Sequence, residues 1–319
     1  MFRKSKKPVN REKGGIELAG EAVHLLRTAP AAAIAAYYTG ALPFVLAFLY
    51  FCSDMSRNPF AGKRCLAASL GLALAFLWMK CWQAVFADGL MSHITGRSRE
   101  DWSAVRVCRM ISAQTILQPY GLLLIPVSFI LMLPFYCTHS FFQNVTALGN
   151  GTHEDIRTLA KHCRKQAMLW PKQNHVLIWL ANIWMMGIFI FAAFGTLRLA
   201  VSGTPDLYNV QNMMWFAGSI ALITAFFLPL CPLGWAVAGN VALTLVIAPG
   251  LLKSFLDIDS SFTIGGWHAI FSTTFIMSVF AITYLAMDPL VKTFHILRCF
   301  YGDARTTGKD IVIELESRQ

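Results

Sequence analysis

Lys80 sits in Trp78-Met79-Lys80-Cys81-Trp82, inside a run of apolar residues. A charge at the centre of a membrane helix costs about 2.5–3.5 kcal/mol on insertion scales. Two chemistries suit an ammonium there: attraction of an anion, or a stem that snorkels its head to the inner headgroups. Asp88 lies eight residues on and near the same helical face. At about 1.5 Å per residue the two are about 12 Å apart along the axis, too far to pair on a straight helix. His139, Asn182, Asn240 and His268 are the other polar groups at or near membrane depth, with interhelical hydrogen bonding as the default expectation. His139-Ser140 sets a base beside a nucleophile, but adjacent helical residues point in different directions and no third orienting residue can be named.

Carboxylates are the scarce group. Every Glu lies outside the apolar runs, and Asp88 and Asp288 fall near run ends. The intramembrane relay that a proton-driven transporter usually needs is therefore not expected. Metalloprotease, phosphate-loop and dinucleotide fingerprints do not occur, so no catalytic residue, metal or cofactor is expected and the chain does not read as an enzyme.

Elements that could hold such residues must suit lipid. Of 319 residues, 56% are apolar and 14% charged, against about 25% charged in soluble domains. The net charge of +10 sits beside the apolar runs, as in cytoplasmic loops of membrane proteins, which argues against a nucleic-acid partner. The stretch 174–201 has Arg198 as its only formal charge and exceeds the roughly 20 apolar residues that cross a bilayer. Similar runs cover 31–52, 66–87, 116–133, 134–148, 176–201, 211–230, 233–252 and 267–287. The fold class expected is all-α: a polytopic transmembrane helix bundle of about six to eight spans. A basic arm (1–13), a helical membrane domain (14–302) and a tail (303–319) divide the chain.

Basic segments at 97–109 and 157–172 belong with the arm on the cytoplasmic side. For both to lie there, 116–148 must break at Pro134 into a descending and a returning arm. Cys231-Pro232-Leu233-Gly234 suggests a similar break. Arg57, Lys63 and Arg64 fall on the outer side and run against the rule. The arm itself, with Arg3, Lys4, Lys6, Lys7, Arg11 and Lys13, suits anionic lipid headgroups. Eight scattered cysteines without a C-x-x-C pair read as free thiols that pack.

Ser98-Arg99-Glu100-Asp101-Trp102 is echoed by Thr152-His153-Glu154-Asp155-Ile156. Each has a hydroxyl followed three positions later by a carboxylate, like a capping box with Asp in place of Glu or Gln. Each would open an amphipathic helix closed by Pro119 or Pro171. Ile16 to Arg27, with Ala19, Val23 and Leu26 apolar, is a looser third copy. Asp288 would cap Pro289, with Leu290, Phe294 and Leu297 as the apolar stripe that follows. Helices of this kind are expected in the headgroup plane. Sequons at Asn144 and Asn150 would be accidental on the cytoplasmic side.

The segment Asp288-Pro289-Leu290 through Arg298-Cys299-Phe300-Tyr301-Gly302-Asp303, then Thr307-Gly308-Lys309-Asp310, resembles a family of uncharacterised bacterial polytopic inner-membrane proteins. Leu25-Leu26-Arg27-Thr28-Ala29-Pro30 and Gly40-Ala41-Leu42-Pro43-Phe44 are similar to the same group. The resemblance implies a bacterial inner membrane and gene neighbours of transglutaminase-like and MoxR-type ATPase kinds. It implies no catalytic residues. The alternation of amphipathic helix and proline-broken span also resembles, loosely, the membrane domain beside glycerophosphodiester phosphodiesterases, here without the catalytic barrel. The function expected is a non-enzymatic scaffold or assembly subunit of a membrane complex. Ile311, Ile313 and Leu315 on one side of the tail could meet its protein partner. The alternative is a transporter or channel for a small anionic or lipidic solute, with Lys80 attracting the anion.

Overall fold

A computed structural model describes residues 13–96, 101–130, 132–181, 232–256 and 273–308. Among these the chain is helical without strands, in nine helices: α1 (Gly15–Thr28), α2 (Ala31–Arg57), α3 (Ala61–Thr95), α4 (Ala104–Ile130), α5 (Met132–Leu148), α6 (Ile156–Met168), α7 (Pro171–Ala181), α8 (Pro232–Leu256) and α9 (Thr273–Thr307). Three of them, α2, α3 and α9, are long and apolar enough to cross a membrane. The protein is an all-α membrane protein. The arm 1–12, most of the expected span 176–201, the start of 267–287, all of 211–230, and the tail beyond 308 lie outside the described residues, as do Asn182 and His268.

α2 and α3 form an antiparallel pair. Asn58 turns the corner, accepting from the Phe60 amide at 2.9 Å and donating to Asp54 at 3.0 Å. Phe44 meets Phe76 and Tyr37 meets Phe86 along the seam. Gly40 lets the two backbones approach: a Cβ there would lie 3.2 Å from the Met79 carbonyl oxygen. Small residues at such crossings are how membrane helices pack closely. Leu66, Leu70 and Leu74, one turn apart, leave an exposed apolar face on α3 that suits lipid.

α4 and α5 are the expected descending and returning arms. Gln114 donates to the Val145 and Gly149 carbonyls, and Gln118 to the Phe142 carbonyl and Thr146 hydroxyl, all within 3.0–3.3 Å. The return is made before Met132, not at Pro134, which falls in the first turn of α5. There its missing N–H has no partner to lose.

The entry motifs are rearranged. Ser103 caps α4, its hydroxyl accepting from the Arg106 amide at 3.3 Å, and the helix runs through Pro119 unbroken. Asp155 itself caps α6, accepting from the Arg157 amide at 3.2 Å, while Thr152 bonds to Asn150. A carboxylate at the N-cap accepts from the first turn directly, so no hydroxyl is needed three residues earlier. In α1 the buried positions are Leu18 and Ala22, and Val23 is exposed. Contact with α7 and α9 selects that neighbouring face. In α6, Leu159, Cys163 and Ala167 are buried in the protein interior while Arg157, Lys161, Arg164 and Lys165 are exposed. Pro171 opens α7, as expected for a first-turn proline.

The largest departure is α9. No cap forms at Asp288; the helix continues through Pro289 to Thr307. Proline leaves the carbonyl four residues earlier without its amide partner. Here that is Leu285, and the Tyr38 hydroxyl reaches it at 3.5 Å. Residues 291–300 are buried on every side, and α9 as a whole packs against α1, α2, α3, α5, α6, α7 and α8. Leu290, Phe294 and Leu297 accordingly pack in the core and do not line a headgroup surface.

Candidate functional site: a cation-rich polar core

α9 carries Asp288, Lys292, His295 and Arg298, buried at 5, 3, 0 and 2% exposure. Spacings of four, three and three residues keep them on one face over about 15 Å of helix. Asp288 Oδ2 accepts from the Tyr37 hydroxyl of α2 and from Gln83 Nε2 of α3, each at 2.9 Å. Gln83 also donates to the Tyr284 hydroxyl at 3.3 Å. One helical turn further, Lys292 donates to Gln143 Oε1 of α5. Gln143 Nε2 lies 3.2 Å from His139 Nε2, and the His139 ring meets that of His295 edge-on at 5.7 Å. Arg298 bonds to Asn174 Oδ1 of α7, to the Ser140 hydroxyl at 3.3 Å and to the Gln166 carbonyl at 3.5 Å.

Lys80 enters this chain from α3. Its stem is partly exposed, but its ammonium turns inward, 5.3 Å from the Phe76 ring centroid. Lys80 and Lys292 are neighbours, and Asp288 is the carboxylate that faces both among the described residues.

Of the polar residues singled out in the sequence, Lys80 and His139 converge here. Asp88 belongs to a separate network at the basic end of the bundle. Its Oδ1 accepts from Arg106 Nη2 and Asn150 Nδ2, each at 2.7 Å, while Arg106 Nε donates to the Asn150 carbonyl at 3.1 Å. The 12 Å offset from Lys80 is resolved by separate partners. Asn240 makes no interhelical hydrogen bond among the described residues. It is exposed and donates to the Ala236 carbonyl of its own helix at 2.7 Å, a local acceptor always within reach. Ser140 donates to Asn174 at 2.6 Å, away from His139, so no nucleophile–base pair forms. Asn144 is buried against Cys163 and Cys299, which closes its sequon to modification.

Sequence reasoning missed Lys292, His295 and Arg298, and placed Asp288 at a span end. A polar stripe at helical period within an otherwise apolar segment was the available signal. It was obscured by reading Pro289 as a helix start.

A second polar cluster joins α6 to the end of α9. Asp303 Oδ1 lies 2.8 Å from His162 Nε2 and accepts from Gln166 at 2.6 Å. His153 packs edge-on against His162. Burial, then the neighbouring His162, holds the His153 pKa below its usual value. Beside it a cavity of about 480 Å³ opens between α4 and α6, lined by Cys108, Arg109, Ser112, His153 and Glu154. Lys13 bonds to Glu21 and to the Tyr301 hydroxyl, fastening the start of α1 to α9. Burial lowers the Lys13 pKa, but these bonds outweigh it and leave the net value raised.

Compared with protein-family models, curated proteins and solved structures, the chain finds no match. The functional reading therefore rests on the geometry.

Proposed function

We propose that this protein carries or conducts a small anionic solute across a bacterial inner membrane, with both termini cytoplasmic. Burial of Lys292 and Arg298 on α9, with Asp288 as the buried carboxylate of the same helix, carries this reading. Buried membrane charges are expensive and mark solute pathways. A purely structural core would be served better by apolar residues of similar volume. The buried Lys292 and Arg298 outnumber the buried Asp288 on α9, so the excess charge favours an anion. The resemblance to bacterial inner-membrane proteins supports the membrane assigned, and the basic arm supports contact with anionic lipids.

The test is flux in liposomes. Reconstituted protein should pass chloride, nitrate or acetate faster than empty liposomes do. Lys292→Gln, which keeps a polar partner for Gln143, should cut that flux at least tenfold without altering elution in detergent. Flux equal to empty liposomes for every anion would overturn the reading. An assembly role is the second reading, favoured by the exposed basic face of α6 at Arg157, Lys161, Arg164 and Lys165. A stoichiometric protein partner retained in mild detergent, with no flux, would establish it instead.

A further inference from the structure

We propose that the cavity between α4 and α6 binds a phospholipid whose headgroup carries both a phosphate and a primary ammonium, as phosphatidylethanolamine does. The site lies apart from the polar core of α9 and does not depend on what that core carries. Its volume of about 480 Å³ falls within the roughly 300–1,000 Å³ of small-ligand sites. Val105, Cys108 and Ser112 of α4 line one side, and Leu148, Ile156 and Leu159 line the other. Leu148 and Leu159 are buried while the three α4 residues are exposed, so the cavity is apolar within and open along α4. Backbone fixes its shape. Gly151 turns the α5–α6 connection at a φ of 83°, and a Cβ there would collide with the Arg106 carbonyl of α4. Glycine alone suits that combination, so the connection is held tightly against the start of α4.

Two features identify the occupant. The first is where the cavity opens. The α4 face made by Val105, Cys108 and Ser112 continues at helical spacing through Ile116 and Tyr120, which are 50 and 62% exposed. Those two residues lie in the apolar run that begins at 116, whereas the basic segment ends at Arg109. About 10 Å of helix separates Arg109 from Ile116, enough to pass from the headgroup layer into hydrocarbon. Acyl chains along Ile116 and Tyr120 therefore bring the headgroup to the cavity. The second feature is the charge of the rim. Arg109 and Glu154 approach at 3.9 Å with side chains 40 and 87% exposed. That is beyond hydrogen-bond length, so guanidinium and carboxylate are both open to a ligand. Asp155 is engaged in capping α6, accepting from the Arg157 amide at 3.2 Å. His153, held below its usual pKa by burial, adds no charge at neutral pH. One cation beside one anion matches a phosphate beside an ammonium. The guanidinium donates to the phosphate in its bidentate manner, and the Glu154 carboxylate accepts from the ammonium. A purely anionic headgroup would meet Glu154 with like charge, and a quaternary ammonium brings it no N–H.

The experiment gives delipidated full-length protein in detergent an equimolar mixture of phosphatidylethanolamine, phosphatidylcholine and phosphatidylglycerol with matched chains. Retained lipid is read by native mass spectrometry. Phosphatidylethanolamine should be retained about fivefold over each of the others, the upper range for a pair of exposed charges. Glu154→Gln should abolish that preference, and Arg109→Gln should lower retention of all three lipids. In wild type, maleimide labelling read peptide by peptide should slow at Cys108 as phosphatidylethanolamine is added. Cys65, exposed on α3 away from the cavity, should react as before. Equal retention of the three lipids, or retention of none, overturns the proposal. A preference for phosphatidylglycerol overturns it too, because Glu154 then plays no part in recognition. So does a preference that Glu154→Gln leaves intact, or a Cys108 rate that lipid does not change, since each puts the lipid elsewhere. Selectivity and Cys108 protection are both read on wild type, so a variant that failed to fold would not shield the proposal.

Discussion

Removing Arg106 alone should cost more than removing Arg106 and Asp88 together. Arg106 Nη2 and Asn150 Nδ2 share Asp88 Oδ1 at 2.7 Å, and the Arg106 and Asp88 side chains are only 8 and 10% exposed. The guanidinium also stacks 4.2 Å from the Trp102 ring centroid. Arg106→Gln leaves the buried Asp88 carboxylate without its counter-charge, which typically costs about 3–5 kcal/mol. Asp88→Asn with Arg106→Gln removes both charges and keeps polar groups for Asn150, so the loss should be smaller by at least half. A double-mutant cycle read by unfolding in detergent checks this; simple additivity of the two single losses would show that the pair is uncoupled. Asp88 and Lys80 stood out in the sequence because a charge within an apolar run has few innocent explanations. Lys292, His295 and Arg298 did not, because basic residues near the end of a run are what positive-inside flanks also look like. Only burial among the surrounding helices distinguishes the two cases, and burial is a property of packing that local spacing does not encode.

At the scale of elements, the α2–α3 crossing sets how closely the walls of the polar core approach. Tyr37 and Tyr38 of α2 and Gln83 of α3 reach α9 only because Gly40 lies against Met79 and Trp82. Gly40→Val places branched carbons where Met79 Cα would stand 3.3 Å from the first of them. Overpacking of this kind costs about 1–3 kcal/mol. It should also lower solute flux, since Tyr37 and Gln83 would be drawn off Asp288. Gly71, on the facing helix α3 with open space where a Cβ would sit, is the control: Gly71→Ala should stabilise α3 slightly, by about 0.5–1 kcal/mol. Equal behaviour of the two variants would mean the crossing does not position the core. The α4–α5 return was legible because charge parity demanded it. The continuity of α9 was not, because Asp-Pro is a helix-start signal whose local strength Tyr38 overrides through a tertiary contact with Leu285. Tertiary rescue of a proline-freed carbonyl is what membrane bundles commonly supply, and no spacing rule announces it.

The whole molecule gathers its basic segments at one end. The Asp88 network holds together the end of α3, the start of α4 and the end of α5. His162–Asp303 and Lys13–Tyr301 join α6 and the start of α1 to the end of α9. Arg109, Arg157, Lys161, Arg164, Lys165 and Arg305 lie on these elements, and the positive-inside rule predicts that end to be cytoplasmic. The α2–α3 corner, with Arg57, Lys63 and Arg64 nearby, pulls the other way. The basic end outweighs the corner in number, and its charges are distributed over several segments while the corner's sit on one. Two native cysteines can decide the matter. Cys65 lies near the corner and Cys108 near the start of α4, and both are exposed. In chains retaining only one or the other, a membrane-impermeant maleimide applied to intact spheroplasts should label Cys65 and leave Cys108 untouched until the membrane is opened. The reverse pattern would invert the molecule and send Arg57, Lys63 and Arg64 inward. The two ends of the polar core along α9 would then exchange sides of the membrane, without changing the contacts that Asp288, Lys292 and Arg298 make between them.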